Sequence, residues 1–524
     1  MLPTPASRIF LKSLLIVGVA LSAVTLRADV KLATPFSSHM VLQREMKVPV
    51  WGTADAGESV TVEFAGQKKT VQAAADGKWR VDLEVMAASA ESRTMTVSGS
   101  KTATPVKFDD VLVGEVWLAS GQSNMVFPVK AGGPYTLVNS DGEIAAAKYP
   151  LVRMFTANDT KSYDVQTTVR NSGWLVCSPD TVGTFSAVGY LFARDLQLQL
   201  KVPVGILTSA SGASCAEAWI SRETLTADAP LKPYLDILDA AYKYFKADPA
   251  SRTGPAPFRP TPINKPRTGA PAGGDPSRDQ HMPTVLFNGM INPLIPYAIR
   301  GAIWYQGESI VGGTPGLMLY GHIMQTLVKD WRAKWGEGDM PFYEVQLPGQ
   351  QNISNNPLIR EQQEAILSLP HTGMSVAIDT GEARNVHPGN KQPTGYRLSL
   401  IALHDAYKQN IEYTGPVYQS MEVKGGTAVV HYTHVGGGLV AKGGALKGFQ
   451  VAGDDKKFVD ADAKIVGDTI VVSSAEVKTP VAVRYAFMDY PEGVGCNLYS
   501  SYDLPAAPFR TDKWDYPIAG IVEN

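Results

Sequence analysis

Four stretches of the chain repeat one pattern, an apolar run that breaks off into glycine and small polar residues. The run 111–118 ends in Ala119-Ser120-Gly121-Gln122-Ser123-Asn124-Met125, and Ile206-Leu207 passes into Thr208-Ser209-Ala210-Ser211-Gly212-Ala213-Ser214. The run 299–305 ends in Gln306-Gly307-Glu308-Ser309, and Val376-Ala377-Ile378 ends in Asp379-Thr380-Gly381-Glu382, with Asn385-Val386-His387-Pro388 just beyond. Short continuous apolar runs closed by such residues read as buried parallel strands. Ligands bind at the carboxyl ends of the strands in an open α/β sheet, so the four breaks predict one functional edge. On this reading Asp379 ends the fourth strand, and Pro388 opens the helix after it.

The intervening pattern supplies the rest of such a sheet. Residues 185–196 read as an apolar-rich crossover helix, the connection that parallel strands need. Residues 324–335 predict the next helix, 342–347 the next strand and 395–404 a closing helix. Outside this block the period changes to two. Val60, Val62 and Phe64 alternate with polar residues, and Trp79, Val81 and Leu83 do so again after the turn at Asp76-Gly77. Past residue 414, short β-branched runs separated by turns such as Gly467-Asp468 mark a second β region. The division that follows is a β-sandwich module at 29–109, an α/β domain at 110–413 and a C-terminal β-rich region at 414–524. Within the α/β domain, about 224–280 is an irregular, proline- and glycine-rich excursion, with a helix expected at 234–245.

Residues 1–28 fit none of these. Arg8 and Lys12 precede the apolar stretch 14–21, followed by Ser22-Ala23 and Arg27-Ala28. That order is a secretory signal peptide, too short for a membrane span, so an exported chain, periplasmic or extracellular and without a stable membrane anchor, is expected. The 48 Lys and Arg against 50 Asp and Glu produce no field that attracts nucleic acid. Cys177, Cys215 and Cys496 allow at most one disulfide and make no zinc pattern; neither a metal nor a cofactor is expected.

A serine just past a strand end is a candidate nucleophile if a base takes its proton and amides hold the oxyanion. Ser123 has that position. Of eight histidines only His387 lies in a strand-end block, and it is the candidate base; His431 and His434 fall in the C-terminal β region. For the residue that orients the base, Asp379 and Glu382 are the nearest upstream carboxylates. Asp379 is preferred, because a strand end fixes its backbone. Glu382, or a dyad in which Asn385 or a carbonyl holds the imidazole, stands as the alternative.

Taken together, Gly121-Gln122-Ser123-Asn124-Met125, Tyr305-Gln306-Gly307-Glu308-Ser309 and His387-Pro388 followed by Lys391 resemble the SGNH-hydrolase superfamily, and within it the sialate O-acetylesterase family. The resemblance runs from about Val30 to Asp512. It implies a three-layer α/β/α domain with a parallel sheet, flanked by N- and C-terminal β-sandwich-like regions. It implies an oxyanion hole from the Ser123 and Gly212 amides and the Gln306 side chain, with Glu308 a structural acceptor. The implied activity is removal of O-acetyl groups from carbohydrates, of sialic acid or of plant polysaccharides such as xylan and xyloglucan, through an acetyl-serine intermediate. A carbohydrate-binding protein without catalysis, and a general esterase or thioesterase on the same fold, are the alternatives. The chain departs from the family pattern where a tryptophan usually precedes Gly212, and at Ile310, where asparagine is usual.

Overall fold

In the computed structural model, residues 29–247, 275–310, 315–351 and 355–516 are described. The expected signal peptide and the middle of the proline-rich excursion lie outside them. Six parallel strands form the central sheet: β1 (Val106–Gly121), β2 (Val152–Ala157), β3 (Val204–Ala210), β4 (Gly301–Tyr305), β5 (Phe342–Val345) and β6 (Thr372–Ser375). Their order is β2-β3-β1-β4-β5-β6, with Asn171–Val176 antiparallel along the outer side of β2. β1 therefore lies in the middle, paired with β3 on one side and β4 on the other.

Three helices matter for the site: α1 (Ala187–Leu200), α2 (Tyr320–Trp335) and α3 (Gln392–Asp405). Strand register shows that they occupy two faces. Trp117 of β1 stands opposite Gly301, so it shares a face with residues 301, 303 and 305 of β4, whereas Trp304 points the other way. Trp117 meets Phe192 of α1 edge-on at 5.2 Å, and Trp304 meets Trp331 of α2 at 5.8 Å. α1 and α2 thus cover opposite faces, which gives the three layers. Each buried side chain of this size contributes about 1.5–3 kcal/mol relative to exposure. The ends of these helices follow from local chemistry. Ser186 caps α1 by accepting from the Gly189 amide at 3.1 Å, and α2 stops at Gly336, whose φ of 72° is left-handed. α3 begins at Gln392, three residues before the expected 395, with Pro393 in its first turn, so Pro388 does not open it.

The N-terminal β module is not separated from the α/β domain. β1 is 16 residues long. Its first part pairs with Ser89–Gly99 and Val41–Gln43, and its second part with β3 and β4. The expected boundary at 109/110 consequently falls inside a strand. The junction is fastened by Glu115, which has no exposed surface and accepts from Arg300 Nε at 2.9 Å, Gln43 Nε2 at 3.0 Å and Arg44. Burial pushes this carboxyl up, but the guanidinium and amide donors hold it below the usual range. The C-terminal region has its own core, built around Val430, Phe449, Val451, Ile470 and Tyr485, into which Met374, Val376 and Ile378 project. Those apolar residues 376–378 lie beyond β6, which already ends at Ser375. Their hydrophobicity serves the domain contact rather than a longer strand.

Candidate active site

At the carboxyl end of β1 the chain reverses within two residues. Gly121 has φ of 133°, and a Cβ there would lie 2.2 Å from the Tyr305 carbonyl oxygen of β4. Only glycine meets both demands. The turn sets Ser123 at the start of the single helical turn Ser123–Val126, 9% exposed. As the first residue of that turn, its amide has no partner within it. From β3, Gly212 comes alongside: a Cβ on it would be 3.9 Å from the Ser123 Cβ. Gly212 and Ser123, whose amides are expected to stabilise an oxyanion, are thus neighbours.

His387 arrives from the loop after β6, and its Nε2 lies 2.8 Å from Ser123 Oγ. Tyr135 packs edge-on against the imidazole with centroids 4.9 Å apart. Burial first, and then the Lys391 charge, hold the His387 pKa below its ordinary value, so the ring is a neutral base at neutral pH.

The preferred acid is not at the imidazole. Asp379 stands four residues past the end of β6 and faces the C-terminal region instead. Its two oxygens accept from Arg397 Nη1 and Nη2, both at 2.7 Å, and Oδ2 also accepts from the Tyr499 hydroxyl at 3.0 Å. Burial raises its pKa, but Arg397 and Tyr499 outweigh that and hold it below the usual carboxylate range. Glu382 is not on the ring either. Its Oε1 accepts from the Gly389 amide at 2.6 Å and its Oε2 from Asn385 Nδ2 at 2.9 Å. Asn385 in turn accepts from the His387 amide at 3.0 Å and donates to the His387 carbonyl at 2.9 Å. Both alternatives therefore hold the main chain around His387. Among the described residues, no side-chain hydrogen bond reaches Nδ1; Ser123 and His387 face each other with the His387 loop braced by Glu382 and Asn385.

Gln306 is placed at the end of β4 with no exposed surface. Its Nε2 donates to the Ser214 carbonyl at 3.0 Å, and Oε1 accepts from the Tyr320 hydroxyl at 2.7 Å. A carboxamide carries two N–H donors, so one remains beyond the bond to Ser214. Ile310, the departure in the third block, is buried in the core.

Two residues of the motif blocks have a part that the sequence pattern did not disclose. Asn124 is fully buried; its Nδ2 donates to the Val386 carbonyl at 2.9 Å and to Glu308, and its Oδ1 accepts from Lys391 Nζ at 2.5 Å. Glu308 is thus an acceptor, as expected. Lys391 is 1% exposed, with Nζ 5.0 Å from the Phe127 centroid and 4.9 Å from that of Tyr305. Burial lowers its pKa to about 7, against the opposing pull of Glu308 and Glu382. A lysine four positions after the histidine was the available signal.

Comparison with known proteins places these features in context. Residues 278–394 match the family model described as carbohydrate esterase, sialic acid-specific acetylesterase. The chain is 30% identical to the sialate O-acetylesterase of Mus musculus, over 91% of this chain and 94% of that one. It is 28% identical to the one from Homo sapiens, over 91% and 92%. Among solved structures, a carbohydrate acetylesterase from Xanthomonas citri superposes with a TM-score of 0.78 at 33% identity, covering 93% of this chain and all of that one.

Proposed function

The chain belongs to the sialate O-acetylesterase family of carbohydrate esterases, and from that premise we propose that it removes O-acetyl groups from carbohydrates with a Ser123–His387 dyad. The observation that carries the mechanism is the 2.8 Å approach of His387 Nε2 to Ser123 Oγ at the functional edge of the sheet. Nε2 takes the hydroxyl proton as Oγ attacks the acetyl carbonyl. The Ser123 and Gly212 amides receive the developing oxyanion. The imidazolium then returns its proton to the departing sugar oxygen, leaving acetyl-Ser123, and a water activated by the same nitrogen releases acetate and restores the serine. The nearby Lys391 disfavours a standing imidazolium, which keeps the base unprotonated between turnovers.

The names of the relatives set the substrate class as an acetylated carbohydrate: sialate for the mammalian proteins, an unspecified carbohydrate for the Xanthomonas citri enzyme. The basic and apolar leader at residues 1–28 supports export to the periplasm or beyond. The test is acetate release from acetylated sialic acid, xylan, xyloglucan and a simple aryl acetate, by the wild type and by Ser123→Ala, His387→Ala and the double variant. Each single variant is expected to lose hydrolysis, and the double to lose little more, because the pair acts as a unit. An acetyl adduct on Ser123, seen by mass spectrometry after rapid quenching, identifies the intermediate. Wild-type turnover by Ser123→Ala refutes the mechanism, and release from the aryl ester alone refutes the carbohydrate assignment.

A further inference from the structure

Asn124 directly follows the nucleophile, and Val386 directly precedes the base. A single side-chain hydrogen bond, Asn124 Nδ2 to the Val386 carbonyl at 2.9 Å, spans 262 residues of sequence to join the two. This bond forms only if the carboxamide has its nitrogen toward Val386. An asparagine amide presents two donors on one side and an acceptor on the other, and its two orientations are nearly equal in shape. Here both ends are determined by charged neighbours. Protonated Lys391 can only donate, and its Nζ meets Oδ1 at 2.5 Å; Glu308 accepts from Nδ2. Flipping the amide would set an N–H against an ammonium and its one oxygen against both a carboxylate and a carbonyl, in a buried place where unpaired polar groups are costly.

Resting on the dyad reading above, we propose that Asn124 and Lys391 are positioning residues for the Ser123–His387 pair, holding the base to the nucleophile through their main chains. They take over the alignment that a side chain on Nδ1 would otherwise provide. Asn385 and Glu382 brace the His387 loop from within, whereas Asn124 ties that loop to the turn carrying Ser123. The ammonium is kept in place by the faces of Phe127 and Tyr305. The charged groups facing Lys391 are Glu308 and Glu382, and the one facing His387 is Lys391 itself.

Two substitutions separate the donor from the charge. Lys391→Met removes both: kcat on an aryl acetate is expected to fall about 10²-fold, the order that a displacement near 1 Å costs, with KM little changed. Lys391→Gln retains an N–H for Oδ1 and is expected to stay within about tenfold of wild type, the loss of one oriented group being partly made good. In both, the acid limb of the kcat/KM profile moves to higher pH, because the positive charge that depresses His387 is gone. A residue with only a packing role would not move that limb. Asn124→Ser, which keeps a small polar side chain but cannot reach both partners, tests the same tie from the other strand end and should match Lys391→Met in kcat. Circular dichroism and thermal melting confirm that each variant is folded. Unchanged kcat with an unmoved acid limb in folded Lys391→Met overturns the proposal while leaving the dyad intact. Retained turnover in Ser123→Ala overturns the dyad reading instead. If both Lys391 variants fail to fold, wild-type kcat in Asn124→Ser overturns the proposal and a loss of about 10²-fold supports it.

Discussion

Asp379→Asn distinguishes a catalytic acid from a structural one. The two terminal nitrogens of Arg397 and the Tyr499 hydroxyl converge on this carboxylate, at 2.7, 2.7 and 3.0 Å. Arg397 belongs to α3 and Tyr499 to the C-terminal strand Leu498–Ser500, so the cluster joins the closing helix to the C-terminal region. The Arg397 side chain is 8% exposed and that of Asp379 19%. Removing one partner of a buried pair costs about 3–5 kcal/mol, and the residual exposure here sets the expectation near the lower figure, about 3 kcal/mol. At about 1 °C per kcal/mol for a chain of this length, melting should drop by roughly 3 °C. The sign with pH is fixed as well. The Asp379 pKa is lowered in the folded protein, so its contribution is full above the ordinary carboxylate value and fades as pH falls through the depressed one. The difference in stability between wild type and variant should narrow on acidification. Catalysis, assayed on an aryl acetate well below either melting temperature, should keep kcat within about threefold, whereas neutralising a triad aspartate costs about 10⁴-fold. A loss of that order with unchanged melting would refute the structural assignment.

Gly121→Ala should leave little folded enzyme, since the new Cβ meets the Tyr305 carbonyl at 2.2 Å at a left-handed φ; soluble yield and melting report it, and a normally stable variant would contradict the close approach of β1 and β4. The acid limb of wild-type kcat/KM should lie below the ordinary histidine pKa, because burial and Lys391 depress His387: activity persists into mildly acidic buffer and falls as pH drops through the lowered value. A limb above that ordinary value would mean that a carboxylate does reach the imidazole.

Much of this architecture was legible from local pattern. The strands at 111–118, 206–207 and 299–305, and the alternation at Val60, Val62 and Phe64, are imposed by neighbouring side chains alone. In Ser59–Phe64 the three apolar residues are buried, whereas Ser59, Thr61 and Glu63 are not. Ser123 and His387 could be named because each lies at a break in an apolar run, and such breaks mark the edge where ligands bind. What local pattern does not contain is the choice of partner for a polar side chain. Residues 376–378 look like a strand whether they pair in a sheet or enter a neighbouring core, and here Val376 and Ile378 enter the C-terminal core. Asp379 thereby turns toward Tyr499, 120 residues away, and not toward the imidazole.

The same limit explains β1, whose apolar residues announce a strand but not that its two parts serve two sheets, and Asn124, whose motif position gives no hint of Val386. Sequence by itself determined the elements, their apolar faces and the residues set at the ends of strands, because those depend on covalent neighbours and burial. Tertiary structure alone decided which charge meets which carboxylate and what holds His387 to Ser123. A hydrogen bond across 262 residues exists only once the sheet has brought its strand ends together.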